Sequence, residues 1–159
     1  MWYIYQGGTI TWKPADPYTN SSSVEIIITQ SHSWTLFYFA CDQTIIDTLG
    51  WYADFRNGLG GQVHCQSSAA VCLASGFTSI TSRKFCTDFS IAVQSSSGSL
   101  ITRRTVDRNT NIIAGYVSGD WANEIRSTAG GPPGGWRILT RIDLTQKYPI
   151  NFSPGIFSN

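Results

Sequence analysis

Val24-Glu-Ile-Ile-Ile-Thr-Gln-Ser-His-Ser-Trp34 is the stretch that decides the fold. Val24, Ile26, Ile28 and Trp34 share one parity, against Glu25, Thr29, Ser31 and Ser33. Side chains on a strand alternate between two faces, so this run reads as a strand with one face buried and one wet. Outward from it, the same period recurs. Upstream, Ile10 and Trp12 oppose Thr9, Thr11 and Lys13, with a long turn at Pro14-Ala-Asp-Pro17 and Asn20-Ser-Ser-Ser23. Downstream comes an apolar run, Leu36-Phe-Tyr-Phe-Ala-Cys41. Residues 85–93, 100–106 and 112–117 also read as strands, joined by turns at Ser95-Ser-Ser-Gly98 and Asp107-Arg-Asn-Thr-Asn111. Farther on, Trp136, Ile138, Ile142 and Leu144 face one way, and Arg137, Arg141 and Asp143 the other.

A single helix is expected, near 42–49. Asp42 caps it, Ile45, Ile46 and Leu49 share a side, and Gly50 ends it. Strands separated by short turns over one domain length predict an all-β fold, an antiparallel immunoglobulin-like β-sandwich. The expected division is an apolar segment 1–7, a sandwich domain 8–146 and a Pro-containing tail 147–159. Pro132-Pro133 excludes a central strand at that point. Cys86 has the opposite parity to Phe85 and Phe89, so a bulge, or a disulfide off the core face, is expected there.

The chain has 159 residues, of which 13% are charged, with a net charge of +1. That balance argues against a general nucleic-acid binder, which needs a basic surplus. No stretch approaches the roughly 18 apolar residues of a membrane span, so no membrane insertion is expected. Low charge, 19 Ser, 16 Thr and many aromatics point to a secreted or cell-surface protein. Met1 to Tyr5 is too short to be a signal peptide, and the chain reads as a mature ectodomain fragment. Cys41, Cys65, Cys72 and Cys86 form an even set that suits two disulfides in an oxidising compartment. Three pairings are possible. Cys65–Cys72 as a short loop with Cys41–Cys86 tying distant segments is preferred. Two sequons, at Asn20 and Asn151, lie beside polar turns and predict N-linked glycans.

Several constellations could carry chemistry. No C-x2-C pair and no H-x3-5-H pair occurs, so no metal or other cofactor is expected. His32 and His64 stand near no motif that needs a base, and both read as surface histidines. No Gly-x-Ser-x-Gly elbow is present. Asp42, Asp47, Asp54, Asp88, Asp107, Asp120 and Asp143 fit as caps and turn residues rather than as a glycosidase pair. Asp107-x-Asn109-x-Asn111 opens like a calcium loop, but Ile112 stands where Gly is needed and Ser118 where Glu is needed. A hairpin turn is expected there instead. Arg103, Arg104 and Arg108 could meet acidic sugars, but edge-strand protection is the favoured reading. Trp34 and Trp136 have core parity. Trp51 and Trp121 stand near turns, where an indole can stack on a sugar ring, although core packing is favoured for them too. An enzyme is not expected.

Gly8-Thr-Ile-Thr-Trp12, Ile28-Thr-Gln-Ser-His-Ser-Trp34, Cys86-Thr-Asp-Phe-Ser90 and Trp136-Arg-Ile-Leu-Thr-Arg-Ile-Asp-Leu144 follow one another in the chain. The ordered set resembles an N-terminal β-sandwich module of large invertebrate extracellular adhesion-type proteins, where it precedes cadherin-like or EGF-like repeats. The resemblance runs from about Gly8 to Pro154. It implies adhesion or extracellular scaffolding with no catalytic residues. It also implies a short Cys pair ahead of Cys-Thr-Asp-Phe-Ser, matching Cys65 and Cys72.

Both ends are apolar, where polar, frayed ends are usual. Trp2, Tyr3, Ile4 and Tyr5 precede Gly7-Gly8, read as a flexible hinge, and Ile150, Phe152, Ile156 and Phe157 sit among the tail prolines. These eight residues are expected at subunit interfaces, so that the chain associates with itself end to end. The alternative is that the first segment folds back as an edge strand of its own domain. A carbohydrate- or receptor-binding module is the rival function, with glycans as partners.

Overall fold

The computed structural model describes residues 5–37, 41–48, 62–81, 86–118 and 136–145. Along these run β1 (Tyr5–Pro14), β2 (Ser23–Thr35), α1 (Gln43–Thr48), β3 (Gln62–Cys65), α2 (Ala69–Ser75), β4 (Ile80–Thr81), β5 (Asp88–Ser90), β6 (Ser95–Asp107), β7 (Asn111–Ser118) and β8 (Trp136–Asp143). They form two four-stranded sheets, ordered β1-β2-β6-β5 and β4-β3-β7-β8, with every pair antiparallel.

The core lies between the sheets. Val24, Ile26 and Ile28 on β2 are buried, and so are Val106 on β6, Ile112 and Ala114 on β7, and Ile142 on β8. Burying each large aliphatic side chain contributes about 1.5–3 kcal/mol. The β2 alternation therefore sets its register against β6, because a one-residue slip would turn this row out to water. The sheets also meet at their margins, where the Trp12 indole N–H donates to the Arg141 carbonyl at 2.6 Å.

The same inward row of β2 continues into polar residues. Gln30 is 1% exposed and His32 is 7% exposed, ahead of the buried Trp34. His32 is therefore a core residue, not the surface histidine expected. It lies on the parity already fixed by Val24, Ile26 and Ile28.

Several local expectations are corrected. Tyr5 belongs to β1, pairs with Trp34 and is 1% exposed. It serves the core of its own domain, so it is unavailable as a subunit-interface residue. Gly7 and Gly8 pair with Ser33 and His32 inside the ladder, so they are no hinge, and the boundary expected at 7/8 falls within a strand. A register shift lies between Tyr5 and Gly7, and Gly7 takes a φ of 146° that side chains rarely adopt. A Cβ at Gly8 would overlap the Tyr5 hydroxyl and the Ser31 carbonyl. The bare backbone there is what lets the Tyr5 ring fold over the strand.

The strand expected over 85–93 is only Asp88–Ser90, and Ile91 and Val93 are exposed in the turn that follows. Cys86 precedes that strand and is fully buried, so its parity conflict disappears. Ser95 to Gly98 is no turn: it opens β6, paired with β2 on one side and with β5 on the other. The 107–111 segment joins strands of different sheets, so it is a corner between layers and not a hairpin. A second helix, α2, was not expected. Ser68 stands at its N-cap and Gly76 at its C-terminus, in the left-handed conformation at φ 68°. Leu36 and Phe37 leave the ladder in a turn, and 38–40 lie outside the described residues.

Candidate functional site

The strand directions sort the connections into two poles. β1 starts at Tyr5, beside Trp34 and the start of β6; this end is the entry pole. β8 runs the same way as β1 and ends beside Asn111, and the Leu144 N–H donates to the Thr110 carbonyl at 2.8 Å; this is the exit pole. The connections from Thr35 to Gln62, from Ser90 to Ser95 and from Ser118 to Trp136 all start and return at the entry pole.

A buried polar cluster lies under the entry pole. The Tyr5 hydroxyl is 3.1 Å from His32 Nδ1, and His32 Nε2 is 3.4 Å from Gln30 Oε1. This set suits a neutral ring with its proton on Nε2, accepting from tyrosine and donating to the amide oxygen. Burial lowers the His32 pKa from 6.5 to about 4. Burial, then the nearby Tyr116 phenol, raises that of Tyr5 well above its ordinary value. Tyr5 stacks edge-on against Trp34 with centroids 4.7 Å apart, and His32 meets Tyr116 of the other sheet at 5.5 Å. Gln30 Nε2 finds no hydrogen-bond partner among the described residues. The cluster is sealed from solvent, and its chemistry is that of a polar link between sheets.

Each pole is closed by a disulfide. Cys41–Cys86 joins the entry-pole connection to the segment before β5, and both cysteines are buried. Cys65–Cys72 ties the end of β3 to α2, toward the exit pole. All four cysteines are thus oxidised. Two disulfides suit an oxidising compartment. No helix among the described residues is long and apolar enough to cross a membrane.

The predicted glycan site Asn20 is exposed in the exit-pole loop between β1 and β2. That loop is pinned from both sides of Asn20. The Arg108 guanidinium donates to the Thr19 and Ser21 carbonyls, and the Arg108 N–H donates to the Ser22 carbonyl at 2.9 Å. Asn151 lies outside the described residues, as do Trp2, Tyr3, Ile4, Ile150, Phe152, Ile156 and Phe157.

The remaining candidates disperse. Arg103 pairs with Glu25 at 2.6 Å, while Arg104 donates to the Arg103 and Ser79 carbonyls. With Arg108 holding its loop, the three arginines form no common anion cradle. His64 is exposed, with Nδ1 3.0 Å from the Gln62 carbonyl oxygen. Asp42 caps α1, accepting from the Ile45 N–H at 2.8 Å, and Asp107 accepts from the Asn109 N–H at 2.7 Å. Asp16 and Glu25 share an open cleft of about 310 Å³. Asp16 accepts from the Tyr18 N–H and Glu25 is held by Arg103, so neither stands ready as an acid–base pair. Among the described residues, no group of three or more His, Cys, Asp or Glu could hold a metal. Trp51 and Trp121 lie outside the described residues, as does the Trp136 side chain.

Sequence reasoning missed the Tyr5–His32–Gln30 cluster, although the parity of β2 contained the signal. No family model, curated protein or solved structure matches the chain.

Proposed function

We propose that the chain is a non-enzymatic structural or adhesion module of the cell exterior, disulfide-bonded and N-glycosylated at Asn20 and Asn151, that associates end to end into linear assemblies. The polarity of the chain path carries this reading. Tyr5 lies at one pole and Thr145 just beyond the last strand at the other, so the described chain enters the sandwich at one end and leaves it at the opposite end. An immunoglobulin-like build agrees with the strand order. In the usual letters, β1-β2-β6-β5 reads A-B-E-D and β4-β3-β7-β8 reads C′-C-F-G. Antibody domains join B and F by a disulfide; here the B–F contact is His32 against Tyr116. The two disulfides support a secreted or cell-surface location. The resemblance to an invertebrate adhesion-type module points the same way. Negative-stain microscopy of the glycosylated protein tests the reading: linear particles are expected, and isolated monomers at every concentration count against it.

A recognition module is the second reading, favoured by the connections gathered at the entry pole. Two of them, from Thr35 to Gln62 and from Ser118 to Trp136, are long, and long connections inside a compact domain are usually functional. They carry Trp51 and Trp121, residue types suited to stacking on a sugar. Titration on a glycan array decides: saturable binding lost in Trp51→Ala or Trp121→Ala supports recognition, and no binding to any glycan favours the structural role.

A further inference from the structure

The turn between β5 and β6 ends the entry pole in an apolar knob, Ile91-Ala92-Val93, with Ile91 and Val93 each 68% exposed. Turn tips are ordinarily built from Gly, Asn, Asp and Ser. This one is held by its own bonds. The Val93 N–H donates to the Ser90 hydroxyl at 3.5 Å, and the Gln94 N–H and side-chain amide both donate to the Ile91 carbonyl, at 3.3 and 2.8 Å. The Gln94 carbonyl accepts from the Leu36 N–H at 2.8 Å, which fixes the turn to the end of β2. Gln94 itself holds a φ of 51°, in the left-handed region. Two branched aliphatic side chains thus stand on a backbone that is ordered before any contact, which lowers the entropic cost of seating them.

At the exit pole, α2 leaves a cleft of about 330 Å³ against the 107–111 corner. α2 buries only Ser75; Val71 is 41% exposed and Ala74 is exposed too, and these two form the helix wall of the cleft. The polar groups of the corner are bonded within the domain. Asp107 accepts from the Asn109 N–H, the Thr110 hydroxyl donates to the Ser75 carbonyl at 3.4 Å, and the Asn111 side-chain oxygen accepts from Arg141 Nε at 3.1 Å. Both sides of the cleft are braced, the helix by Cys65–Cys72 and the corner by the bond between Leu144 and Thr110. Val71 and Ala74 are left as its open apolar wall.

An apolar knob at one end of a molecule and a walled cleft at the other make a heterologous contact, which propagates in a line unless the rotation closes a ring. Insertion of even one aliphatic side chain into a pocket of the next copy is enough for such growth. We infer that the knob of Ile91 and Val93 on one copy of the chain seats in the cleft between α2 and the 107–111 corner of a second copy. This rests on the end-to-end reading above and names the surfaces that make the joint. Two side chains in one cleft bury less than the about 800 Å² per partner of a standard interface, so each joint is weak and assembly grows with concentration.

Complementation between two variants of the glycosylated full chain tests it by light scattering over a wide concentration range. The knob variant carries Ile91→Asp with Val93→Asp, which would bring two carboxylates against Asp107 of the cleft; the cleft variant carries Val71→Asp. The substituted side chains are exposed, so near-UV circular dichroism should match the parent. Ile91→Ser with Val93→Ser, and Val71→Ser, repeat the test should the charges disturb folding. The unmodified chain should form multimers that grow with concentration, and each variant alone should be monomeric. An equimolar mixture should give a dimer and nothing larger, because one intact knob then meets one intact cleft. A multimeric parent whose variants still assemble, or whose mixture fails to pair, overturns the inference and leaves linear assembly standing. A parent that is monomeric at every concentration overturns both.

Discussion

The exit pole is closed by hydrogen bonds between loops and a short disulfide loop, whereas the entry pole is held by a buried aromatic and polar cluster and a long disulfide loop. At the exit pole, the 107–110 turn bonds to the 15–22 loop through Arg108 and to α2 through Thr110, and Cys65–Cys72 spans only seven positions. At the entry pole, Tyr5 reaches His32 across 27 positions, and Cys41–Cys86 spans 45. The lesson is that the two ends are held by different means, polar bonds between loops at one and buried rings at the other. The entry pole also carries the long connections from Thr35 to Gln62 and from Ser118 to Trp136.

The largest expected effect sets the two disulfides against each other. Loop-closure entropy assigns about 4 kcal/mol to the 45-position loop and about 2 kcal/mol to the seven-position loop. Denaturant unfolding of Cys41→Ala/Cys86→Ala and of Cys65→Ala/Cys72→Ala should show that order. Equal losses would mean that the poles are not held differently.

Next in size is acid. His32 is neutral in the fold with a pKa of about 4, while the unfolded chain titrates near 6.5. The unfolded state therefore binds the proton first, and stability falls as pH drops from about 6.5 to about 4, by roughly 3 kcal/mol in all. Above pH 6.5 this group contributes no slope. Unfolding curves across that window check it, and His32→Gln should flatten most of the slope. An unchanged slope in that variant would remove His32 from the account.

Gly8→Ala should cost about 2–3 kcal/mol, because its Cβ would enter the space of the Tyr5 hydroxyl and the Ser31 carbonyl. A melting temperature equal to that of the parent would show that Tyr5 does not lie over that glycine. The smallest effect is Tyr5→Phe, which removes one buried hydrogen bond to His32 and should cost about 1 kcal/mol.

How much was legible in the sequence depends on whether the signal is local. The apolar half of β2, with Val24, Ile26 and Ile28, could be read because alternation is local. The polar half could not be read as fluently: Gln30 and His32 look like surface residues, and only counting parity onward from Ile28 places them inside. Ser95 to Gly98 carries the composition of a turn, yet it pairs on both sides, because neighbouring strands override weak local preference. In α2, Ser68 and Gly76 were available as boundary signals around an Ala-rich run, but the helix is too short for periodicity to announce it. Gly7-Gly8 suggested a hinge. Their role depends on Tyr5 and His32 meeting across the strand pair, a tertiary fact that no local pattern carries.

Sedimentation velocity of the intact glycosylated protein over a wide concentration range tests the central claim most directly, that the sandwich has distinct ends that join in line. The account predicts a ladder of species without a fixed upper size, with the frictional ratio rising as the mass rises. A single monomer boundary throughout, or a closed dimer that stops growing, would contradict it.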